Sequence, residues 1–396
     1  MFLLREGEGK FYYLDLRPEE VVNNGVRYMP KVLNRWGPRK CFCVDDLYTT
    51  QFGDYQSTEI EEKFFGRIDD FGSHAHKYFS SFDHTSWKSE FYEDFLLYMS
   101  TQKLRTPKGI GWLKQEAKTD DQNVVLLLMQ RIRALYCAHW VESVWSIADA
   151  SDSEVKFIVS DHPVTIYNKA HYPKSAQCKG FLDPDIWQTG SHTIFPLSLN
   201  KVLILTNLSW LRNPYSSPTL MRPNPDPWRD PIFDWRDIQI KRMLSETEVS
   251  ELNYIIKSRA YRYIAAAEET WLYPEANIRS RNWEKFGNGC LCMPDPRSVD
   301  FGGEIYVGYN TGKNDAYDEY GHKPWQSGFG DEKRRALEHK TFDRFQGEFA
   351  RYFGPKRRGV SYSIDKVGKE EDSEDFHNYH LSLAPQRKGK KGRRKK

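Results

Sequence analysis

The chain predicts an α+β fold: a helical core of about four long helices with a mainly antiparallel sheet, followed by a glycine-rich C-terminal extension. Three observations carry this. Apolar residues recur at helical spacing through most of residues 58–148; short alternating segments follow between 155 and 205; and short connections among those segments favour antiparallel pairing. With 396 residues, 39% of them hydrophobic and 29% charged, there is ample material for a core.

Phe11-Tyr-Tyr-Leu-Asp-Leu16 reads as half of a small hairpin, and Arg39-Lys-Cys-Phe-Cys-Val44 as a second short strand. Thr58-Glu-Ile-Glu61 is a capping box that opens a helix with the stripe Ile60, Phe64, Ile68, Phe71, Ala75, Tyr78 and Phe82. A second helix runs from Trp87 to Lys103 and stops before Thr106-Pro107, because the residue before proline avoids helical dihedrals. The longest helix is expected from about Asp121 to Ala148, with Leu128, Ile132, Leu135, Tyr136, His139, Trp140, Val144 and Ile147 on one side. Strands are expected at Val155–Val159, Val164–Tyr167, Thr193–Phe195 and Val202–Leu205. The six prolines of Asn213 to Pro231 make a surface loop. A capping box at Ser245-Glu-Thr-Glu248 opens a closing helix that runs to about Trp271.

Domain boundaries follow composition. Residues 1–275 form the α+β domain, 276–383 a glycine-rich extension packed on it, and 384–396 a basic disordered tail. The extension carries one amphipathic helix, Asp331 to Phe353; Leu, Ile, Val and Phe supply only 19 of the 108 residues from Ala276 to Leu383, too few for an independent core. Eight of the ten residues from Arg387 to Lys396 are Lys or Arg, and removing them takes the formal charge from +3 to -5. Arg387, Lys388, Lys390, Lys391, Arg393 and Arg394 therefore read either as a solvated end or as an arm for nucleic acid. The longest aliphatic run, Val124 to Met129, has six residues where a spanning helix needs ~20, and no apolar block follows a basic start at Met1. No membrane partner is expected. Six cysteines are too sparse for a disulfide scaffold, which points to the cytoplasm.

Tyr28-Met-Pro-Lys31 with Leu33 and Arg35, Leu104-Arg-Thr-Pro107, Val159-Ser-Asp-His-Pro-Val164, Phe195-Pro-Leu-Ser198 and the closing Leu252-Asn253 helix occur in a telling order. Together they resemble the bacterial domain-of-unknown-function 4238 family over about residues 20 to 275. Where that family usually has a His just before the Tyr-x-Pro element, this chain has Val26-Arg27. If that His is catalytic in the family, the activity is lost here or its role lies elsewhere. Some members are associated with single-gene phage defence, so the resemblance implies a toxic effector or a sensor without giving its chemistry.

Asp161-His162 is the leading catalytic candidate, because a strand end holds a carboxylate and an imidazole rigidly near solvent. The alternative is a turn in which Asp161 bonds backbone amides. His139 is either a base or a satisfied core histidine. Arg105 and Arg35 are candidate substrate-binding cations that would equally pair with acids. Metal patterns are weak. His74 and His76 point about 200° apart on a helix; Cys41-x-Cys43 with Cys290-x-Cys292 has zinc-type ligands at an atypical spacing; His377 and His380 lie beside an acidic run. No metal is assigned, and no motif names a cofactor. Two functions stay open: a cytoplasmic defence-type effector acting as a hydrolase of nucleic acid or nucleotide, and a noncatalytic module that binds nucleic acid or, through the loop from Asn213 to Trp235, another protein.

Overall fold

A computed structural model describes residues 9–23, 25–42, 50–52, 55–57, 59–84, 88–222, 238–286, 291–299 and 304–354. The elements run β1 (Phe11–Asp15), β2 (Val21–Asn23), β3 (Val26–Tyr28), β4 (Leu33–Trp36), β5 (Thr50–Phe52), β6 (Tyr55–Ser57), α1 (Gly66–Ser80), α2 (Ser89–Leu104), α3 (Pro107–Ala117), α4 (Gln122–Val141), β7 (Ser143–Asp149), β8 (Val159–Ser160), β9 (Thr165–Asn168), β10 (Ser191–Pro196), β11 (Lys201–Asn207), α5 (Leu208–Arg212), β12 (Gln239–Met243), α6 (Glu246–Arg259), β13 (Tyr263–Ala266), β14 (Glu304–Gly308), β15 (Asn314–Asp318) and α7 (Glu332–Phe353). They divide into a larger unit, residues 1–207 and 217–294, and a smaller one, 208–216 and 295–396.

The larger unit is α+β. Its main sheet has the order β12-β7-β11-β10-β9, antiparallel except for the parallel β12–β7 pair. A second, wholly antiparallel sheet has the order β4-β1-β13-β8. The strands of the main sheet are apolar on both faces because both are covered. Trp145, Ile147, Leu203 and Leu205 pack with Phe79, Phe95, Met99 and Trp140 from the helices α1, α2 and α4. Ala148, Val202 and Ile204 face the other way, against Leu252, Ile255 and Ile256 of α6 and Ile264 of β13. Of the described helices, only α4 has the length and apolarity of a membrane span. Its Val125, Leu126, Met129, Tyr136 and Trp140 are buried in the protein's own core, while Val124 and Leu127 are exposed.

Several boundaries differ from the sequence expectation. The segment at 39–42 is no strand: Pro38 starts a 3-10 turn, closed by the amides of Lys40 and Cys41 on Gly37 O and Pro38 O, while Cys43 and Val44 lie outside the described residues. Phe11–Asp15 is not half of a hairpin but lies between β4 and β13. A π-helical stretch, Ile60–Phe65, precedes α1; its extra residue per turn shifts the phase, so Phe65 is buried and Phe71 is exposed. Thr106-Pro107 ends one helix and also starts another. Thr106 caps α3 by accepting from Gly109 N at 3.1 Å, with Pro107 in the first turn, where its missing N–H is harmless.

Two helices are shorter than their periodicity predicts. α4 stops at Val141, and Val144 and Ile147 belong to the strand β7. Ser143 Oγ and Asn207 Nδ2 take the carbonyl of His139, so the helix end is satisfied and the β-branched run enters the sheet at once. α6 begins at its capping box, as expected, but ends at Arg259, and Tyr263–Ala266 is the strand β13. The segment 155–158 is likewise not strand; β8 holds only Val159 and Ser160.

In the smaller unit α7 is capped by Asp331 and closed by Gly354 at φ 67°. Phe342, Phe345, Phe349 and Ala350 are its buried face, and Trp210 of α5 meets Phe345 edge-on. Leu337 and Tyr352 of the same helix are exposed.

Trp140 is fully buried and donates from Nε1 to Thr193 Oγ1 at 2.9 Å. Trp140→Ala should destabilise the protein by ~3–5 kcal/mol in urea unfolding, as truncation of a large core side chain does. An unchanged midpoint would show that α4 does not pack through this residue.

Candidate active site in the larger unit

The C-terminal turn of α2, the first turn of α3, the bend after β8 and the connection between β9 and β10 meet at the floor of a cavity of about 560 Å³. Lys103, Lys108, His162 and Asp183 form that floor, and Trp112, Tyr136, Phe181 and Trp187 are among its walls. Helical spacing puts Lys103 on the inner side of α2, beside Met99 and Leu104. Pro107 makes Lys108 a first-turn residue of α3.

Asp183 holds the cluster together. Its carboxylate accepts from Lys103 Nζ and Lys108 Nζ and lies 2.8 Å from His162 Nε2. Lys103 also donates to Val164 O at 3.1 Å, and Lys108 to Arg259 O at 2.9 Å. His162 Nδ1 is 2.8 Å from Thr106 Oγ1, which already accepts from Gly109 N. The hydroxyl oxygen has two lone pairs and can accept from Nδ1–H as well as from Gly109 N, while Nε2 lies 2.8 Å from both Lys103 Nζ, a donor, and Asp183 Oδ2, an acceptor.

Charge is unequal here, with two ammonium groups around one carboxylate. Burial pulls the Lys103 ammonium down to about 8 against the attraction of Asp183, and Lys108 adds to the fall. Burial and the neighbouring Lys103 hold His162 neutral down to about 3. Burial alone would raise Asp183, but Lys103, Lys108 and His162 hold it well below the usual carboxylate range. Lys103 is thus the group of the three whose proton is exchangeable near neutral pH.

The residues singled out from sequence are dispersed. His162 is in the cluster. Asp161 is not: its carboxylate accepts from Tyr261 N, Arg262 N and Tyr263 N at 2.9, 2.7 and 2.9 Å. Those three amides follow α6, so Asp161 ends that helix and turns the chain into β13. His139 sits in α4, with Nδ1 3.1 Å from Arg222 Nη1; burial and then Arg222 hold it neutral. Arg105 forms a two-pronged pair with Asp69 at 2.7 and 2.6 Å. Arg35 is exposed on β4 with its guanidinium over Tyr12. The tail residues Arg387 to Arg394 and His377, His380, Cys43 and Cys290 lie outside the described residues. Among the described residues no group of three or more His, Cys, Asp or Glu is placed to hold a metal ion.

Residues 114–270 match the model of a family described as protein of unknown function DUF4238. No curated protein matches the chain, and no solved structure does. The matched segment contains His162, Asp183, Arg259 and the strands β7 to β11, together with three of the runs that carried the resemblance; Tyr28–Lys31 and Leu104–Pro107 precede it. Lys103 and Lys108 also precede it. Sequence reading missed Lys103, Lys108 and Asp183. The helix α3, which the Thr-Pro step signals, was the cue for Lys108, while nothing local marks Asp183.

Removing the charge of Asp161 should act on folding. Asp161→Asn replaces an oxygen that accepts from a backbone amide with a donor, which should lower stability by about 1–3 kcal/mol. Loss of function with an unchanged melting curve would instead assign Asp161 to the chemistry.

The buried histidines set an acid limit. His76 is depressed to about 4 and His162 and His192 to about 3, each chiefly by burial, whereas an unfolded chain protonates them near 6.5. Below that value the unfolded state binds more protons, so stability is full above about pH 6.5 and falls as pH drops toward 4. Each such proton steepens the fall by about 1.4 kcal/mol per pH unit. Urea titrations from pH 7 to 4.5 should show uptake of more than one proton per unfolding event; a flat profile would contradict the burial of these rings.

Proposed function

We propose that the larger unit is a small-molecule hydrolase whose substrate is a nucleotide or nucleoside, with Lys103 as the proton-transfer group. The observation that carries this is the Lys103–His162–Asp183 constellation at the floor of a cavity with aromatic walls. About 560 Å³ suits a compact ligand more than a polymer. Trp112, Phe181 and Trp187 offer faces on which a base can stack. The exposed Glu116 and Asp185 on the lining disfavour a polyanionic backbone, which favours nucleotide over nucleic acid. Lys103, lowered toward neutrality, accepts a proton from water, while Asp183 and His162 hold its Nζ in place. A cytoplasmic defence effector is the setting the family resemblance implies, and the basic residues from Arg387 to Lys396 are the proposed contact for any polyanionic partner.

Lys103→Arg tests the reading, because arginine keeps the positive charge opposite Asp183 but does not release its proton near neutral pH. The purified protein should convert at least one member of a nucleotide and nucleoside panel, followed by chromatography. The variant should convert it ~100-fold more slowly while still gaining thermal stability from the ligand. Ligand stabilisation without turnover in the parent protein would make the cavity a binding site only.

A further inference from the structure

We infer that Lys103 is also a nucleophilic amine, able to condense with an aldehyde or ketone carried by a ligand of this cavity and to form an imine. The inference shares with the proposed function only the premise that ligands enter the cavity, and it does not require hydrolysis.

The geometry favours it in two ways. Lys103 Nζ lines the cavity floor although its side chain is only 5% exposed, so water competes poorly for its lone pair. Lys108 draws on the same carboxylate, so the two ammonium groups share one counter-charge and loss of a proton from Lys103 brings the cluster to neutrality. His162 Nε2 lies 2.8 Å from Lys103 Nζ. In the amine form Lys103 still donates its two N–H groups to Val164 O and Asp183, and its lone pair points to His162. The 2.8 Å between the two nitrogens leaves no room for a carbon, so attack on a carbonyl in the cavity turns that lone pair away from His162. Burial and the charges of Lys108 and Arg259 oppose the ammonium form, with Asp183 as the counterweight.

The step balances without an oxidant or reductant. The Nζ lone pair forms a bond to the carbonyl carbon, the two amine protons pass to the carbonyl oxygen, and that oxygen leaves as water. The product is a neutral imine, which a proton from the medium converts to the iminium ion.

The test uses the whole protein and salicylaldehyde as an aromatic aldehyde probe. Borohydride then fixes any imine as a secondary amine, and peptide mass spectrometry reads the modified lysines. At pH 7.5 the peptide carrying Lys103 should be labelled about 10-fold or more faster than peptides carrying exposed lysines such as Lys118, because part of Lys103 is unprotonated there and held on a cavity floor. Its labelling should rise with pH and level off above about 8. Lys103→Met should remove the fast phase; because the decisive measurement is made on the unmodified chain, a folding defect in that variant leaves the result readable. Labelling of Lys103 no faster than of Lys118 overturns the inference, whatever nucleotide turnover shows. Fast labelling of Lys103 without turnover of any nucleotide or nucleoside supports it and removes the hydrolase reading instead.

Discussion

A single buried carboxylate ties the larger unit together. Asp183 lies on a connection with little regular structure, yet it receives Lys103 from α2 and Lys108 from α3 and faces His162 from the bend after β8. Lys108 extends the tie to the end of α6 through Arg259 O. Desolvating these charges is unfavourable, and their mutual attraction offsets that only while every partner is present; breaking one buried partner of this kind commonly costs about 3–5 kcal/mol. The arrangement sets the spacing of three helices and two strand connections at one point. It also leaves one positive charge in excess, so Lys103 beside that carboxylate has a proton to give up.

The rest of the unit supplies a rigid frame for that point. The main sheet is covered by α1, α2 and α4 on one face and by α6 with the second sheet on the other, so its strands carry large apolar residues on both sides. Trp145 donates from Nε1 to Trp140 O at 3.0 Å, fastening β7 to the helix that precedes it. Such packing leaves the cavity floor little freedom to relax around an unbalanced charge. A soft site would admit water or rotate Lys103 toward solvent, restoring an ordinary ammonium; a close-packed one holds the ammonium at a disadvantage.

The sequence made the α+β class legible because helical and alternating periodicities survive in α1, α2, α4, β10 and β11. Boundaries failed where two-sided burial erases period: Val144 to Ile147 and Tyr263 to Ala266 are apolar enough to extend a helix stripe, and only the sheet they enter tells them apart. At the site, His162 was legible as an imidazole beside a carboxylate at a strand end. Its partners were not. Lysine and aspartate are common surface residues, and the contacts from Asp183 to Lys103 and Lys108 span 80 and 75 positions of chain, so no local pattern announces them.

Asp161 and His162 show how one dipeptide serves both needs. Asp161 N donates to Tyr263 O at 3.0 Å, continuing the β8–β13 ladder for one residue past β8. Successive side chains on such a segment point to opposite sides. The carboxylate of Asp161 therefore meets the amides after α6, while the imidazole of His162 meets Thr106, Lys103 and Asp183. The turn that ends α6 and the placement of the imidazole share one backbone register. Slipping that register by a residue would put a carboxylate beside Asp183 and an imidazole against three amide donors, opposing charge with charge and donors with a donor. The sequence order Asp-His is thus a structural requirement of the site, even though only the second residue reaches the cavity.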